Sequence, residues 1–221
     1  MRLISKKVIL LLSSIVILPL AGCFNSDTPE DKIYNILEDV AKEENDFKDK
    51  QEPLKKLEEK DNKLYEKIID LGMKEYKSIV SLSEDAIKGI NDRKELIKAE
   101  KASIDESKKE FAKLDKEIKN LKERSLQTKA ADLQDIMDKR YAKYDELYKN
   151  YMASLKAEKE LYTLFKDKKL TMEELETKVE SVNDVYDDLM KSNKEFNKLT
   201  EHYNQKKLSF YQDAGIEVKA K

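Results

Sequence analysis

Apolar residues in most of the chain recur at steps of three and four, which is the spacing of one face of an α-helix. The first clear series includes Leu54, Ile68 and Leu71, with Asp61 the one polar residue on its face. Three further series follow, over residues 86–121, 133–165 and 175–210. The pattern therefore predicts an all-α protein: an elongated antiparallel up-and-down bundle of three to four long helices with left-handed, coiled-coil-like packing.

The beginning of the first helix is marked by local signals. Thr28 is suited to cap it, Pro29 fits the first helical position, and two acidic residues follow, which complement the helix dipole. We expect this helix to run from Pro29 to about Lys50. Because a proline breaks or kinks a helix interior, Pro53 predicts a turn at residues 51–52 and a second helix after it.

The course of that second helix is left open by the pattern. The apolar positions slip in phase between Glu75 and Leu82. Either a turn lies near residues 81–85, with Ser83 as the cap of the next helix, or one helix runs from Pro53 to Leu121. At a rise of about 1.5 Å per residue, the single helix would be roughly 100 Å long.

The C-terminal helices have clearer boundaries. One is predicted from about Leu126 to Lys166. Thr171 and Glu174 then form a capping box, in which each side chain satisfies a backbone N–H of the other residue. Gly215 is a natural stop for the last helix. We therefore place the bundle domain at residues 29–213 and a tail at residues 214–221.

The N-terminus has the layout of a secretory signal peptide. Three basic residues lie within the first seven, and Val8–Leu20 is apolar apart from two serines and a proline. A membrane-spanning helix needs about 20 apolar residues, and this stretch is shorter. Residues 1–22 are therefore predicted to be a signal peptide that is removed.

Leu20, Ala21, Gly22 and Cys23 match the bacterial lipobox at all four positions. In that motif the cysteine receives a diacylglyceryl group and a peptidase cleaves before it, so Leu20 to Gly22 are the predicted recognition residues. The diacylglyceryl group carries two acyl chains, which is what stable anchoring to a membrane requires. Residues 23–28 then form the lipidated cysteine and a short tether, on the outer face of the cytoplasmic membrane.

Charge narrows the range of partners. The chain has 44 Lys and Arg against 46 Asp and Glu, and the segment before Cys23 holds basic residues but no acid. The remaining chain is therefore acidic overall, which argues against nucleic acid as a partner. Arginine occurs only at positions 2, 93, 124 and 140, so the forked recognition of phosphate or carboxylate typical of arginine has little support.

Four segments carry a family resemblance: the lipobox, IIDLGMKEY at 68–76, MDKRYAKYDELY at 137–148 and LTMEEL at 170–175. Together they resemble the cell-wall-binding lipoproteins of low-GC Gram-positive bacteria, over essentially the whole chain after the signal peptide. The resemblance implies an all-helical bundle outside the cell membrane, facing the wall. It supplies no catalytic residues.

The residues themselves offer little catalytic chemistry. His202 is the only histidine, which excludes a multi-histidine zinc site, and the four glycines are too far apart for a phosphate-binding loop. Asp184, Asp187 and Asp188 share one helical face, and paired acids can hydrolyse a glycosidic bond. In so acidic a chain, such a cluster is more typical of a solvated face. We predict a protein that is not an enzyme, with no metal and no cofactor.

The most unusual pattern is a tyrosine stripe made of Tyr141, Tyr144, Tyr148 and Tyr151. One interpretation is an exposed aromatic face that binds sugar rings or a partner protein. The other, which we favour, is a bundle seam whose hydroxyl groups reach solvent, because the spacing matches the core-facing rows of neighbouring helices.

These observations predict a lipid-anchored, non-catalytic protein of the cell envelope that is a cell-wall-binding or envelope-interaction module, with peptidoglycan, another wall polymer or other envelope proteins as partners. The first alternative is an adaptor or holdase-like binder of other exported proteins, which would engage them through a helical groove. The second is a wall hydrolase that uses carboxylates. The ligand and the oligomeric state are left open, since amphipathic helices also pair between chains.

Overall fold

A computed structural model describes residues 28–71 and 75–217, and this part of the chain is all-α without a strand. The helices are α1 (Pro29–Glu43), α2 (Asn45–Leu71), α3 (Tyr76–Phe111), α4 (Leu114–Asn120), α5 (Arg124–Leu164) and α6 (Met172–Asp213). Four of them are long, with 27, 36, 41 and 42 residues in α2, α3, α5 and α6. The predicted all-α bundle is therefore confirmed.

The described residues fall into two compact units. Unit 1 contains residues 49–71, 75–98 and 146–194, and unit 2 contains residues 28–48, 99–145 and 195–217. Each of the four long helices contributes residues to both units.

Unit 1 is built from segments of α2, α3, α5 and α6, and its polar contacts show their directions. Lys178 on α6 pairs with Glu160 on α5, while Asn150 near the start of this α5 segment donates to Ser192 at 3.2 Å. Residue numbers thus rise along α5 as they fall along α6, so the two helices are antiparallel. In the core, the rings of Tyr65 and Phe165 pack with centroids 6.2 Å apart.

Unit 2 shows the same antiparallel arrangement of α5 and α6. Lys143 on α5 pairs with Glu195 on α6 at 2.6 Å, and Lys206 pairs with Asp132 at 3.6 Å. Helices α1 and α4 are neighbours in this unit. Its core is rich in aromatic rings, and three of them contact one another with centroids 5.4 to 6.1 Å apart: Phe47, Tyr144 and Phe196.

The apolar series read from the sequence form the buried faces of the helices. Leu54, Leu64 and Ile68 of α2 are buried, and Asp61 is buried beside them on the same face. Similar rows line α3, α5 and α6, for example Ala86, Ile90 and Ile97, or Val182, Leu189 and Phe196. Burial of these rows is the main source of stability for such helices.

The first predicted boundary is wrong. The chain leaves the helix at Glu44, whose φ of −85° and ψ of 3° end α1, whereas α2 continues through Pro53. Pro53 is exposed, so water can satisfy the carbonyl left without its helical donor. Glu44 itself turns its carboxylate into the core, where Arg140 binds it.

The open question about residues 75–92 is answered by α3, which is continuous from Tyr76 to Phe111. Ser83 is a buried residue within this helix and not a cap. Neither a turn near residues 81–85 nor one helix from Pro53 to Leu121 is correct. Helix α2 ends at Leu71 and α3 begins at Tyr76, and after residues 112–113 the short α4 follows α3. Gly72 lies outside the described residues.

The predicted helix caps are confirmed. Thr28 accepts a hydrogen bond from the Asp31 backbone N–H at 3.2 Å, at the start of α1. In the capping box, Thr171 N–H donates to Glu174 at 2.9 Å and Glu174 N–H donates to Thr171 at 3.2 Å. Gly215 has a φ of +69°, the left-handed conformation that ends a helix.

Candidate functional site

The candidate site is a cleft of about 180 Å³ in unit 1, between α2 and α6. Helix α2 contributes Tyr65 and Ile69. Helix α6 contributes three uncharged residues, Leu175, Val179 and Asn183. It also contributes four acidic residues: Glu176, Glu180, Asp184 and Asp187.

The spacing of residues on α6 explains this division. Glu176, Glu180 and Asp184 follow one another at steps of four, so they form one row on the helix surface. Leu175 and Val179 lie one position earlier and therefore belong to the adjacent row, which faces α2. Val179 is buried, whereas the three acids are exposed. The cleft consequently has an apolar floor, formed by Tyr65, Ile69, Leu175 and Val179, and an acidic wall, formed by Glu176, Glu180, Asp184 and Asp187.

The floor is held in place from below. The Tyr65 ring is buried and packs on Phe165, which in turn contacts Tyr162 with ring centroids 6.2 Å apart. Because these rings pack in the core of unit 1, the cleft surface is supported by fixed side chains rather than by a loop.

The electrostatics of the cleft are one-sided. Four carboxylates line it, and its lining includes no lysine or arginine. In the part of the chain that the structure describes, these four side chains form no hydrogen bond or ion pair. Lys178, on the same helix, is instead paired with Glu160 of α5. The cleft therefore presents a negative potential to solvent.

The structure separates the acidic trio considered from the sequence. Asp184 and Asp187 line the cleft, whereas Asp188 does not. His202 lies in unit 2 on an exposed position of α6. No group of three or more His, Cys, Asp or Glu side chains within residues 28–71 and 75–217 is placed to hold a metal ion.

The tyrosine stripe does not form an exposed face. Tyr141, Tyr144 and Tyr151 are only 1 to 2% exposed, and Tyr148 alone is partly exposed. The packing interpretation is therefore the better one, but its expectation that the hydroxyl groups reach solvent is wrong. Tyr144 donates to Glu100 at 3.1 Å and Tyr151 to Glu58 at 2.7 Å, because buried carboxylates need donors.

Unit 1 contains a buried charged group that sequence reasoning missed, which we name the Arg93 cluster. Its members are Arg93 of α3, Glu58 and Asp61 of α2, and Glu158, Tyr151 and Tyr186. Arg93 forms a two-pronged ion pair with Glu158 and lies 3.6 Å from a carboxylate oxygen of Asp61. Tyr186 donates to Glu158 at 2.6 Å.

One guanidinium thus faces three buried carboxyl groups. Burial raises the pKa of Glu58 to about 7 and that of Asp61 to about 7, although the charge of Arg93 opposes both shifts. The Arg93 Nε atom and one oxygen of Asp61 have no hydrogen-bond partner in the described part of the chain. Burial also raises the pKa of Tyr151, so its hydroxyl stays protonated and can donate.

Unit 2 contains a second buried group, the Arg140 cluster, formed by Arg140, Glu44, Thr200, Ser107 and Tyr141. The guanidinium of Arg140 donates to both oxygens of Glu44, at 2.8 and 2.7 Å, and its Nε donates to Thr200 at 2.8 Å. It also lies over the Phe196 ring, 4.7 Å from the centroid.

The sequence did contain a signal for both clusters. Only four arginines occur in a lysine-rich chain, and of the three in the described residues Arg93 and Arg140 are buried. Arginine suits such positions because its planar group can bind a carboxylate through two parallel hydrogen bonds.

Comparison with known proteins places the chain in a family. Residues 28–213 match the model of the YkyA family, whose description is "Putative cell-wall binding lipoprotein". The chain belongs to this family. A YkyA-family relative, the uncharacterized lipoprotein YkyA of Bacillus subtilis (strain 168), is 38% identical over 200 residues, which are 90% of this chain and 89% of the relative.

A solved structure supports the same fold. The 1.6 Å crystal structure of a conserved protein of unknown function from Staphylococcus aureus superposes with a TM-score of 0.73 at 20% sequence identity. The match covers 85% of this chain and 97% of that one. At this identity the likeness shows the fold alone.

The residues predicted to anchor the chain, Leu20 to Cys23, lie outside the described residues. In the described part, no helix is long and apolar enough to cross a membrane. The YkyA-family match begins at residue 28, the last residue of the predicted tether.

Proposed function

We propose that this YkyA-family protein is held by lipid on Cys23 at the outer face of the cytoplasmic membrane and binds the cell wall without catalysing a reaction there. The observation that carries the proposal is the family match, which runs over residues 28–213 and so includes all six helices. The match therefore covers the whole helical domain and not a fragment of it, and the family description, "Putative cell-wall binding lipoprotein", supports the proposal.

The distribution of carboxyl groups favours binding over catalysis. A glycoside hydrolase needs an accessible acid whose pKa is raised toward neutrality. Glu58 and Asp61 have such a pKa, but they are 3% and 8% exposed and lie in the core of unit 1. A wall polymer cannot reach them there. We therefore assign their shifted pKa values to packing.

The short segment after Cys23 supports the lipid anchor. Between Cys23 and Pro29 lie only five residues, which at about 3.5 Å each span roughly 20 Å at most. A domain tethered so closely would begin next to the lipid headgroups. Its surfaces would then face the space between membrane and wall.

The lipid anchor is tested by Cys23→Ser. We expect the wild-type chain to fractionate with membranes and the variant to appear in the soluble fraction, with its signal peptide uncleaved or cleaved elsewhere. Ser26→Ala, in the predicted tether, is the matched control and should stay with membranes. Membrane retention of the Cys23→Ser chain in processed form would contradict lipid anchoring.

Wall binding is tested by co-sedimentation. The full chain, purified in detergent micelles, is mixed with isolated peptidoglycan, with and without attached anionic polymers, over a series of salt concentrations. Saturable sedimentation supports the proposal, and its salt dependence shows how much charge contributes. If the chain stays in the supernatant under every condition, the proposal is wrong, and a recurrent crosslinked protein in cells would instead favour the adaptor alternative.

A further inference from the structure

We propose that the cleft between α2 and α6 binds the amine-bearing peptides of the wall. The apolar floor would take the aliphatic part of a side chain, and the acidic wall would take its ammonium group. This inference rests on the wall binding proposed above and adds the site and the chemical class of the ligand.

The surface around the cleft is locally acidic. Residues 172–190 contain seven acids and one base, whereas the whole chain has 46 acids and 44 bases. Four of these seven acids line the cleft. Anionic wall polymers would be repelled by this surface, and a cation would be attracted. Charge complementarity therefore selects the peptide amines among the charged groups of a wall.

Within residues 28–71 and 75–217, the four acids of the cleft have no hydrogen-bond or ion-pair partner. Several other surface acids pair with a lysine one turn away, as Glu95 does with Lys98 at 2.8 Å. Along α6, by contrast, Glu176, Glu180 and Asp184 have one another as neighbours at steps of four. Like charges at this spacing destabilise a helix, by about 0.2–0.5 kcal/mol per pair. A bound cation would relieve that repulsion.

The cleft is small. Clefts that enclose a drug-sized ligand measure roughly 300–1,000 Å³, and the cleft measures about 180 Å³. It therefore fits one side chain better than a whole sugar chain. The acids from Glu176 to Asp187 extend over roughly 16 Å of helix, which matches an extended peptide of about five residues.

The lining of the cleft also suits a long aliphatic side chain. The floor is apolar, so it would shield the methylene groups of a lysine-like side chain from water. The Tyr65 ring rests on Phe165, so the floor is already in place before a ligand binds. A preformed site loses less conformational entropy on binding.

The test uses the full chain in detergent micelles and two preparations of peptidoglycan freed of anionic polymers. In one preparation the free amino groups are intact, and in the other they are acetylated, which removes their charge. The cleft variant is Glu180→Gln with Asp184→Asn. The matched control is Glu173→Gln with Asp188→Asn, which makes the same change in net charge on the same helix outside the cleft lining.

We expect acetylation and the cleft variant each to weaken sedimentation by on the order of tenfold, and the control variant to bind like wild type. All four positions are exposed, so far-UV circular dichroism should match wild type and the unfolding midpoints should shift only slightly. Equal binding to both preparations, or equal losses in the cleft and control variants, would overturn this inference while leaving wall binding intact. Failure of wild type to sediment with either preparation would overturn both proposals.

Discussion

Units 1 and 2 each bury an arginine among acidic and aromatic side chains, but they balance its charge differently. In unit 2, Arg140 directs both of its terminal nitrogens to one carboxylate, that of Glu44. In unit 1, Arg93 is shared by Glu158 and Asp61, with Glu58 close enough to sense its charge. The first cluster is a matched ion pair, and the second holds an excess of acid.

A buried arginine therefore has a different energetic consequence in each unit. A matched, fully bonded pair is costly only when one partner is removed. An excess of buried carboxyl groups is costly whenever they are ionised, so they hold their protons up to about pH 7. We therefore expect the Arg140 cluster to respond to mutation and the Arg93 cluster to respond to pH.

The largest expected effect is that of Arg140→Met. This substitution leaves Glu44 buried without its ion pair, because both side chains are fully inaccessible to solvent. Removing one partner of such a pair costs about 3–5 kcal/mol in the free energy of unfolding. Urea unfolding followed by far-UV circular dichroism near pH 7 measures this loss.

The control for that substitution is Arg124→Met, an exposed position on the same helix, which should change stability by no more than about 0.5 kcal/mol. The double variant Arg140→Met with Glu44→Leu should recover much of the loss, since no unpaired charge then remains. Equal stabilities of the two single variants would show that the ion pair contributes nothing.

The second prediction concerns pH and unit 1. Because burial raises the pKa of Asp61 to about 7, the folded chain holds this proton more tightly than the unfolded chain does. The resulting stability is complete below the ordinary pKa of the carboxyl group and is lost as pH rises through about 7. Between about pH 5 and about pH 8 we expect a loss on the order of 2–3 kcal/mol, measured by urea unfolding at both pH values.

Asp61→Asn should remove the Asp61 part of this pH dependence, because an amide does not titrate. Glu58→Gln should remove a second part, since burial also raises the pKa of Glu58 to about 7. Glu66→Gln, on an exposed face of α2, is the control and should keep the wild-type slope. If Asp61→Asn and Glu66→Gln give the same slope, the Arg93 cluster is not the source of the pH dependence.

The errors in the sequence-based fold follow from the same long-range contacts. The spacing of apolar residues predicts which faces are buried, and the caps at Thr28 and Thr171 are local, so both could be read from the chain. The boundary at Glu44 could not. It depends on Arg140, 96 residues away, and no local pattern shows which acid of the chain an arginine will bind.

The sequence indicated the acidic side of the cleft but not its apolar floor. Asp184 and Asp187 share a helical face, which is a local property that the spacing of residues shows. The apolar floor depends on Tyr65 and Ile69, more than 100 residues earlier, whose approach to α6 is set by the packing of unit 1. A one-sided run of acids in a chain of otherwise interleaved charge is the signal that could have located it.

The third prediction compares buried tyrosine hydroxyl groups. Tyr151 donates to Glu58 at 2.7 Å in unit 1, whereas the Tyr203 hydroxyl in unit 2 has no partner in the described part of the chain. Tyr151→Phe should therefore cost about 1.5–3 kcal/mol near pH 8, and less near pH 5, where Glu58 is protonated. Tyr203→Phe removes an unsatisfied group and should leave stability unchanged or higher.

Both variants are measured by urea unfolding at the two pH values. A Tyr203→Phe variant that loses as much stability as Tyr151→Phe would show that ring packing, and not the hydroxyl bond, decides the cost. A Tyr151→Phe cost that is the same at both pH values would separate this tyrosine from the titration of Glu58.

The smallest expected effect lies at the surface of unit 1, in the capping box of α6. Thr171→Ala removes an N-cap and should cost about 1 kcal/mol near pH 6.5, whereas Thr177→Ala, exposed within α6, should cost nothing measurable. Hydrogen bonds from Thr171 lower the pKa of Glu174, so this contribution is present above the ordinary pKa of a glutamate and is lost as pH falls. The cost of Thr171→Ala should therefore shrink near pH 4, and an unchanged cost there would mean that the Glu174 carboxylate adds nothing to the cap. The pH dependence of the Glu174 contribution is therefore opposite in sign to that of Asp61 in the same unit. Unit 1 should be most stable between these two titrations.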